Sequence, residues 1–522
     1  MFDVLIRGGL VYDGLGSAPV VADVAITGDT VTAIGNLSEM PASTVVDATG
    51  LAVTPGFIDI HTHSDFTLLS SPLMSSSVAQ GVTTEVVGNC GTSIGLSTNQ
   101  DVFTQERRWV ERGGATISWD TLSQYLDRVR EAGIGANIAT LAGHGTIRKA
   151  VMGFDNREPT PAELASMQRI LEGALNAGAV GISTGLEYTP GAYAGLAEQI
   201  ALVKMVGAAG GFYSTHLRNE GDTLVESVQE ALTIAEEGGT ALQLSHHKAE
   251  GRANWGIVSR TLQMMQQARD RGMDVLTDQY PYIAYMTGLA VVLLPAWAQE
   301  GDAETMIATL SDPVQRDRIL KEVGPDGLDW DAIRIGIARQ RSDVQGLSLR
   351  QLGELDGLSP AEAAIELMIS ENGWVAALNF AMSEDDVEAI LRSPYTMIGS
   401  DGVAHDPIRV NAADRTHPRS YGTFPRVLGE YARRRGVISF EDAIRRMTSL
   451  PAQRLKFTDR GSLQAGKKAD LVLLNPATVE DTATFPEPYQ TPVGIERVYV
   501  NGGLAYADGE TTGNRYGRVL TR

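Results

Sequence analysis

Asp59, His61 and His63 recur at every second residue in the stretch GFIDIHTHSD (56–65), directly after the apolar pair Phe57-Ile58. Residues two apart in a strand share a face. A strand here would project one carboxyl and two imidazoles together, away from Ile58 and Ile60. Two imidazoles at the end of an apolar strand are a ready metal grip. The plainer reading of this motif is two hydrogen-bonded histidines beside a turn. The remaining histidines decide between the two. The chain has eight: His61, His63, His144, His216, His246, His247, His405 and His417. Each falls at, or just past, the end of a short apolar run, or in the loop beyond the last such run, which random placement would not produce.

The same run ends supply Cys90 after GVTTEVVGN and Asp401 after MIGS. A set of thiolate, imidazoles and carboxylate suits zinc, which is redox-inert and useful in hydrolysis. Three firm ligands with one position left open would make a catalytic centre, because bound water then ionises near pH 7. A lone buried cysteine is more often inert core, and Asp401 after Gly399-Ser400 could be a helix N-cap. Histidines such as His144 and His247 read as hydrogen-bonding neighbours rather than ligands.

The elements that must hold these residues are legible. Short apolar strands alternate with helical stretches between residues 55 and 457, the signature of a parallel sheet with helical crossovers. The strands are expected at Phe57–His61, Thr84–Cys90, Ala136–Leu141, Ala179–Thr184, Phe212–Thr215, Ala241–Ser245, Asp274–Asp278 and Thr396–Ser400. That number fits an α/β fold of the closed (β/α)8, TIM-barrel type, whose active sites sit where strands end. Helix Pro161–Asn176, with Thr160 as its N-cap, is the clearest of the crossovers. Strand-and-turn patterns at both chain ends (1–54 and 458–522) are expected to complete one small β-sandwich domain. The barrel would then run through 55–287 and 346–457. Residues 288–345, rich in Asp, Pro and Gln, read as a lid-like insertion over the barrel mouth. Strand-like pieces at 333–338 and 375–380 stand outside this scheme.

Composition sets limits. A hydrophobic share of 43% and a charged share of 20% suit an ordinary globular protein. The net charge of −21 disfavours nucleic acid and anionic membranes as partners and requires a local cationic pocket for any anionic substrate. The longest apolar run, near 289–298, contains Pro295 and is too short to span a bilayer. There is no signal-peptide pattern, and one cysteine permits no intrachain disulfide. A cytoplasmic protein is the expectation, and a homo-oligomer is compatible with the composition.

These residues lie within motifs that resemble the amidohydrolase superfamily and, within it, the D-aminoacylase (N-acyl-D-amino-acid deacylase) family. The matching segments run nearly end to end: TPGFIDIHTHSD, GVTTEVVGNCG, GHGTIRKAVMG, GAVGISTGLEYTPG, STHLRNEG, QLSHHKAEG, DQYPY, IGSDG, HPRSYGTFPRVLG and GSLQAGKKADLVLLNP. The resemblance implies a tight zinc on Cys90, His216 and His246. It implies a second, weaker metal position on His61 and His63 that shares Cys90, and Asp401 as general acid and base. Lys248, Tyr280 or Tyr282, and Arg419 are implied to bind a free substrate carboxylate, for which Arg offers a fork and Lys a point charge.

The implied activity is hydrolysis of an N-acyl-D-amino acid to a carboxylate and a free D-amino acid. A dipeptidase acting on peptides with a C-terminal D-residue would use the same groups. Cyclic-amide hydrolases of the hydantoinase or dihydroorotase kind are disfavoured, because their bridging lysine on strand four is missing from AVGISTGLEY. A non-catalytic metal-binding barrel is disfavoured by Asp401. The chain departs from the family pattern at Val403–Thr416, which is longer than in some members and brings His405, Arg409 and Arg415 near the pocket. It also places Tyr285 and Met286 where the family often has small hydroxyl residues, which suggests an apolar pocket and hydrophobic D-residues.

Overall fold

The computed structural model describes residues 1–96, 102–112, 114–324, 328–407 and 410–521. Five strands open the chain: β1 (Phe2–Val11), β2 (Val20–Thr27), β3 (Thr30–Gly35), β4 (Ala42–Asp47) and β5 (Ala52–Pro55). The barrel strands follow as β6 (Phe57–Asp59), β7 (Val82–Val87), β8 (Asn137–Gly143), β9 (Gly181–Gly185), β10 (Phe212–His216), β11 (Ala241–Leu244) and β12 (Val275–Gln279). Next come β13 (Tyr285–Gly288), β14 (Ile333–Ile337) and β15 (Ala376–Asn379), then the last barrel strand β16 (Thr396–Ile398). The chain ends in β17 (Leu471–Leu474), β18 (Ile495–Val500), β19 (Gly503–Ala507) and β20 (Glu510–Thr511).

Strands β6 to β12 and β16 form one eight-stranded parallel sheet in sequence order. The first and last strands meet just beyond their regular ends. Asp401 N–H donates to the His61 carbonyl at 2.8 Å, and His63 N–H donates to the Gly402 carbonyl at 2.8 Å. The expected barrel is therefore present, and its seam passes through three of the candidate residues. Ile58, Ile60, Phe212, Leu276 and Met397 of the strands pack with Leu450, Ala452 and Leu455 of helix Ser449–Leu455. Outer helices bury one apolar stripe each. In helix Pro161–Asn176 that stripe is Met167, Leu171 and Ala174, and Thr160 and Glu163 exchange capping hydrogen bonds at its start.

Both chain ends build a single nine-stranded sheet, ordered β20-β19-β18-β17-β5-β1-β2-β3 with β4 on β1. The sheet curls back on itself: Val31 N–H donates to the Lys467 carbonyl at 2.9 Å, and Gly466 N–H to the Val31 carbonyl at 2.8 Å. Ile6, Val24, Ile26, Val53, Leu471 and Leu473 fill the space it encloses. The two layers expected of a sandwich are thus two halves of one sheet.

The insertion is larger than 288–345. Strands β13, β15 and β14 form a separate antiparallel sheet, with β15 in the middle. Its own apolar cluster gathers Leu293, Leu310, Trp330, Ile335, Leu352 and Met368. Strand β14 has no partner within 288–345; its partner β15 lies some forty residues further on, so the unit closes only at Ala376–Asn379. This explains the strand-like pieces that had no place in the barrel. Among the described residues, no helix is long and apolar enough to cross a membrane.

Candidate metal centre and active site

The ends of the barrel strands bring the candidate donors to one point. Cys90 Sγ lies 3.3 Å from His61 Nε2 and 3.3 Å from His246 Nε2. His216 Nδ1 lies 2.9 Å from His246 Nε2. Asp401 Oδ1 is 3.0 Å from His63 Nε2 and 3.5 Å from His61 Nε2. Donor atoms of His61, Cys90, His246 and Asp401 all fall within 4.8 Å of one another, as do those of His216, Glu220 and His246. Cys90, His246 and Asp401 have φ of 49°, 33° and 51°. Non-glycine residues rarely adopt this left-handed backbone, and its concentration just past three strand ends marks a functional constraint. Asp59 does not join them. Regular strand geometry stops at Asp59, so the expected alternation fails there, and its carboxylate accepts from the backbone N–H groups of Ser400 and His61.

Three of the rings are held from behind by a carboxylate. Asp278 Oδ1 takes His61 Nδ1 at 3.0 Å and also the His246 backbone N–H at 2.8 Å. Glu220 Oε1 takes His246 Nδ1 at 3.1 Å, and Glu187 Oε2 takes His216 Nε2 at 2.8 Å. This fixes the tautomer of His61 and His246 and leaves Nε2 of both aimed at Cys90, the arrangement that metal-binding histidines need.

The electrostatics ask for a cation at this point. Burial pushes the Cys90 thiol up, but His61 and His246 outweigh it and hold the sulfur well below the usual thiol range. A thiolate is the metal-binding form. Burial lowers His61, His63 and His216, yet Asp278, Asp401 and Glu220, each beside one of these rings, and the sulfur reverse this. His63 rises to about 9 and His216 to about 10. Protons crowd onto rings that face one another across the sulfur, and a divalent ion would replace them. The donor set therefore fits zinc.

Asp401 is buried, which raises its carboxyl, but the Arg419 guanidinium and His63 overcome that and hold it well below the carboxylate range. Arg419 Nη1 sits 2.6 Å from Asp401 Oδ2. Its guanidinium also stands 5.0 Å from the centre of the Tyr280 ring. The Arg419 backbone N–H donates to His417 Nδ1 at 3.0 Å, so Nε2 carries the ring proton and donates to the Ala284 carbonyl at 2.8 Å. Lys248 is buried, ion-paired with Glu220, and lies over the Tyr280 ring at 5.9 Å. The Tyr280 hydroxyl is buried and makes no hydrogen bond.

Lys248, Tyr280 and Arg419 all line one cavity of about 1570 Å3, together with Cys90, His216, His246 and Asp401. Tyr282 does not. The chain leaves strand geometry after Gln279, so the two tyrosines do not share a face. Tyr282 instead packs edge-on against His417 and beneath Arg426. Tyr285, Met286, Val291, Ile337, Trp374 and Phe380 give the cavity apolar wall, while Glu187 and Glu250 give it negative charge. In the long loop after β16, His405 lines the cavity and stacks on Tyr421. Arg415 turns back onto the carbonyls of Ala412 and Ala413. Arg409 lies outside the described residues. Glu187, Glu220 and Asp278 were not foreseen from sequence. For Asp278 the available signal was an acidic residue closing a barrel strand.

A family model described as "Amidohydrolase family" matches residues 44–506. A D-aminoacylase of Alcaligenes xylosoxydans xylosoxydans is 38% identical over 521 residues, covering 100% of this chain and 98% of the relative. A solved D-aminoacylase structure superposes with a TM-score of 0.85 at 36% identity, covering 100% of both chains. An N-acyl-D-glutamate deacylase from Bordetella bronchiseptica, solved with zinc and a phosphonate inhibitor, superposes with a TM-score of 0.85 at 35% identity, again covering 100% of both chains.

Proposed function

This chain belongs to the amidohydrolase family, and from that membership we propose that it hydrolyses the amide of N-acyl-D-amino acids to a carboxylate and a free D-amino acid. The observation that carries the reading is Asp401: a buried carboxylate in reach of His61, His63 and Arg419, beside a thiol that two imidazoles hold as thiolate. Cys90, His216 and His246 would hold a tight zinc, with His61 and His63 completing a weaker position around Cys90. Bound there, zinc supplies Lewis acidity and brings the pKa of a water to about 7.

The chain's own residues manage protons and the substrate. Asp401 Oδ1 accepts the proton released as water attacks the amide carbon. It returns that proton to the nitrogen of the leaving amine as the C–N bond breaks. Arg419 keeps Asp401 ionised before the reaction. A guanidinium has five N–H donors; Arg419 uses its side chain on Asp401 and, at 3.4 Å, on the Met286 carbonyl, and the donors left over remain for the substrate carboxylate. Lys248 adds a second cation, and the unpartnered Tyr280 hydroxyl adds a donor. The apolar wall of Tyr285, Met286 and Phe380 favours hydrophobic D side chains, and Glu187 disfavours acidic ones. A cytoplasmic location suits the reading, since reducing compartments keep a single thiol available as a ligand.

The test is hydrolysis of paired N-acetyl-D- and N-acetyl-L-amino acids, apolar and acidic, by zinc-loaded and by chelated protein. Chelator-sensitive cleavage confined to the D series, with leucine or phenylalanine ahead of glutamate, supports the reading. Cleavage of dipeptides or cyclic amides alone would replace it.

A further inference from the structure

A side branch of about 240 Å3 leaves the main cavity among the loops that follow β7, β8 and β9. It shares Cys90, Thr92, Tyr188, Ala303 and Trp374 with the main cavity, so it opens beside the donor cluster. Lys248, Tyr280 and Arg419 lie on the other side, after β11, β12 and β16. In a closed eight-stranded barrel the third and seventh strands face each other across the axis. A substrate with its carbonyl at the donors and its carboxylate at those cations must point its acyl part towards the branch. We propose that this branch is the acyl-chain site and that it admits neutral aliphatic acyl groups well beyond acetyl. The proposal rests on the deacylase reading above.

The walls support such an occupant. Phe154, Pro190, Met306 and Trp374 contribute apolar surface. Close backbone packing shapes the passage: a Cβ at Gly185 would sit 2.2 Å from the Cys90 carbonyl oxygen, and one at Gly145 would sit 2.9 Å from that of Gly91, so only glycine lets these loops approach as they do. Three charged groups line the branch, Glu106, Lys149 and Asp302; Asp302 accepts from the Thr305 N–H at 2.9 Å, and the other two neutralise each other. Lys149 Nζ lies 2.8 and 3.0 Å from the two Glu106 carboxylate oxygens and over the rings of Phe103 and Phe154. An acyl chain tipped by a carboxylate would meet Glu106 with no cation to spare. At ~30 Å3 per water the branch has room for about eight waters, and so for an acyl chain of about six to eight heavy atoms.

The experiment measures kcat/KM of the zinc-loaded enzyme on D-leucine acylated with acetyl, butanoyl, hexanoyl, octanoyl and dodecanoyl groups. Each buried methylene can add up to about fourfold, so efficiency should rise to hexanoyl or octanoyl and fall at dodecanoyl. Ala290→Phe and Met306→Trp narrow the branch from two different helices. Each should cut the hexanoyl-to-acetyl ratio at least about tenfold without moving the N-acetyl-D-leucine to N-acetyl-D-alanine ratio. Efficiency that falls steadily from acetyl onward in the unmodified enzyme overturns the proposal and leaves the deacylase reading standing. So do variants that change the side-chain ratio and not the acyl ratio. Failure to cleave any member of the series overturns both.

Discussion

Glu220→Gln isolates the residue on which the centre most depends without itself being an implied ligand or base. Glu220 is only 3% exposed in its side chain and serves two partners at once, His246 Nδ1 at 3.1 Å and the Lys248 ammonium. Glutamine keeps the shape and one acceptor oxygen but removes the charge. Breaking a buried pair from one side costs about 3–5 kcal/mol; the retained oxygen puts the loss near the lower end, at about 3 kcal/mol. Losing the carboxylate behind a metal-binding imidazole lowers metal affinity about 10- to 100-fold. Glu187 is the internal comparison, since it holds His216 in the same way at 2.8 Å but is 26% exposed. Water can replace it, so Glu187→Gln should cost less than tenfold. The assay is competition for zinc against a chromophoric chelator, read alongside denaturant unfolding and KM. Zinc affinity within twofold of the unmodified protein, with unchanged KM, would refute the reasoning, as would a larger effect of Glu187→Gln.

Three further outcomes are expected. Asp401→Asn should abolish turnover while zinc remains bound, by metal analysis of the purified variant; near-normal kcat would remove Asp401 from the chemistry. Arg419→Met takes away a charged hydrogen-bonding partner worth about 1.5–3 kcal/mol, so kcat/KM for N-acyl-D-amino acids should fall about 10- to 150-fold, much of it in KM; an unchanged KM would exclude a carboxylate contact. In metal-free protein, burial, with Glu187 and Glu220 nearby, pushes the Glu250 carboxyl up to about 7 from an ordinary value of 4.5. The folded state then binds a proton that the unfolded state has released. Stability should therefore fall as pH rises from 4.5 to 7, and Glu250→Gln should be more stable than the parent at pH 8, on the order of 3 kcal/mol, with the gap closing towards pH 5. A gap that does not vary with pH would contradict this in urea titrations.

The sequence made the barrel and its candidate metal donors legible for different reasons. The eight strands were readable because each is a short apolar run closed by a polar or glycine turn, and helix Pro161–Asn176 because Thr160, Pro161 and Glu163 form a complete start signal. His61, His63, Cys90, His216 and His246 stood out because their residue types are scarce and fall at strand ends. The carboxylates behind them did not stand out, since Glu187, Glu220 and Asp278 are three among 64 acidic residues, and only folding turns them towards a ring. Tyr280 and Tyr282 stayed alternatives because the motif does not say which ring faces the cavity; the strand ends at Gln279, and of the two it is Tyr280 that lines it. The insertion was cut short because β14 pairs with a strand that lies outside the expected boundary. Long-range pairing of this kind leaves no local mark in the chain.

The most direct single measurement is the release of free amine from N-acetyl-D-leucine as zinc is returned stepwise to chelated protein. The account predicts no hydrolysis without metal and activity that grows with the first equivalent bound. Full activity in protein stripped of metal, or zinc bound in stoichiometric amount with no hydrolysis of any N-acyl-D-amino acid, would contradict it.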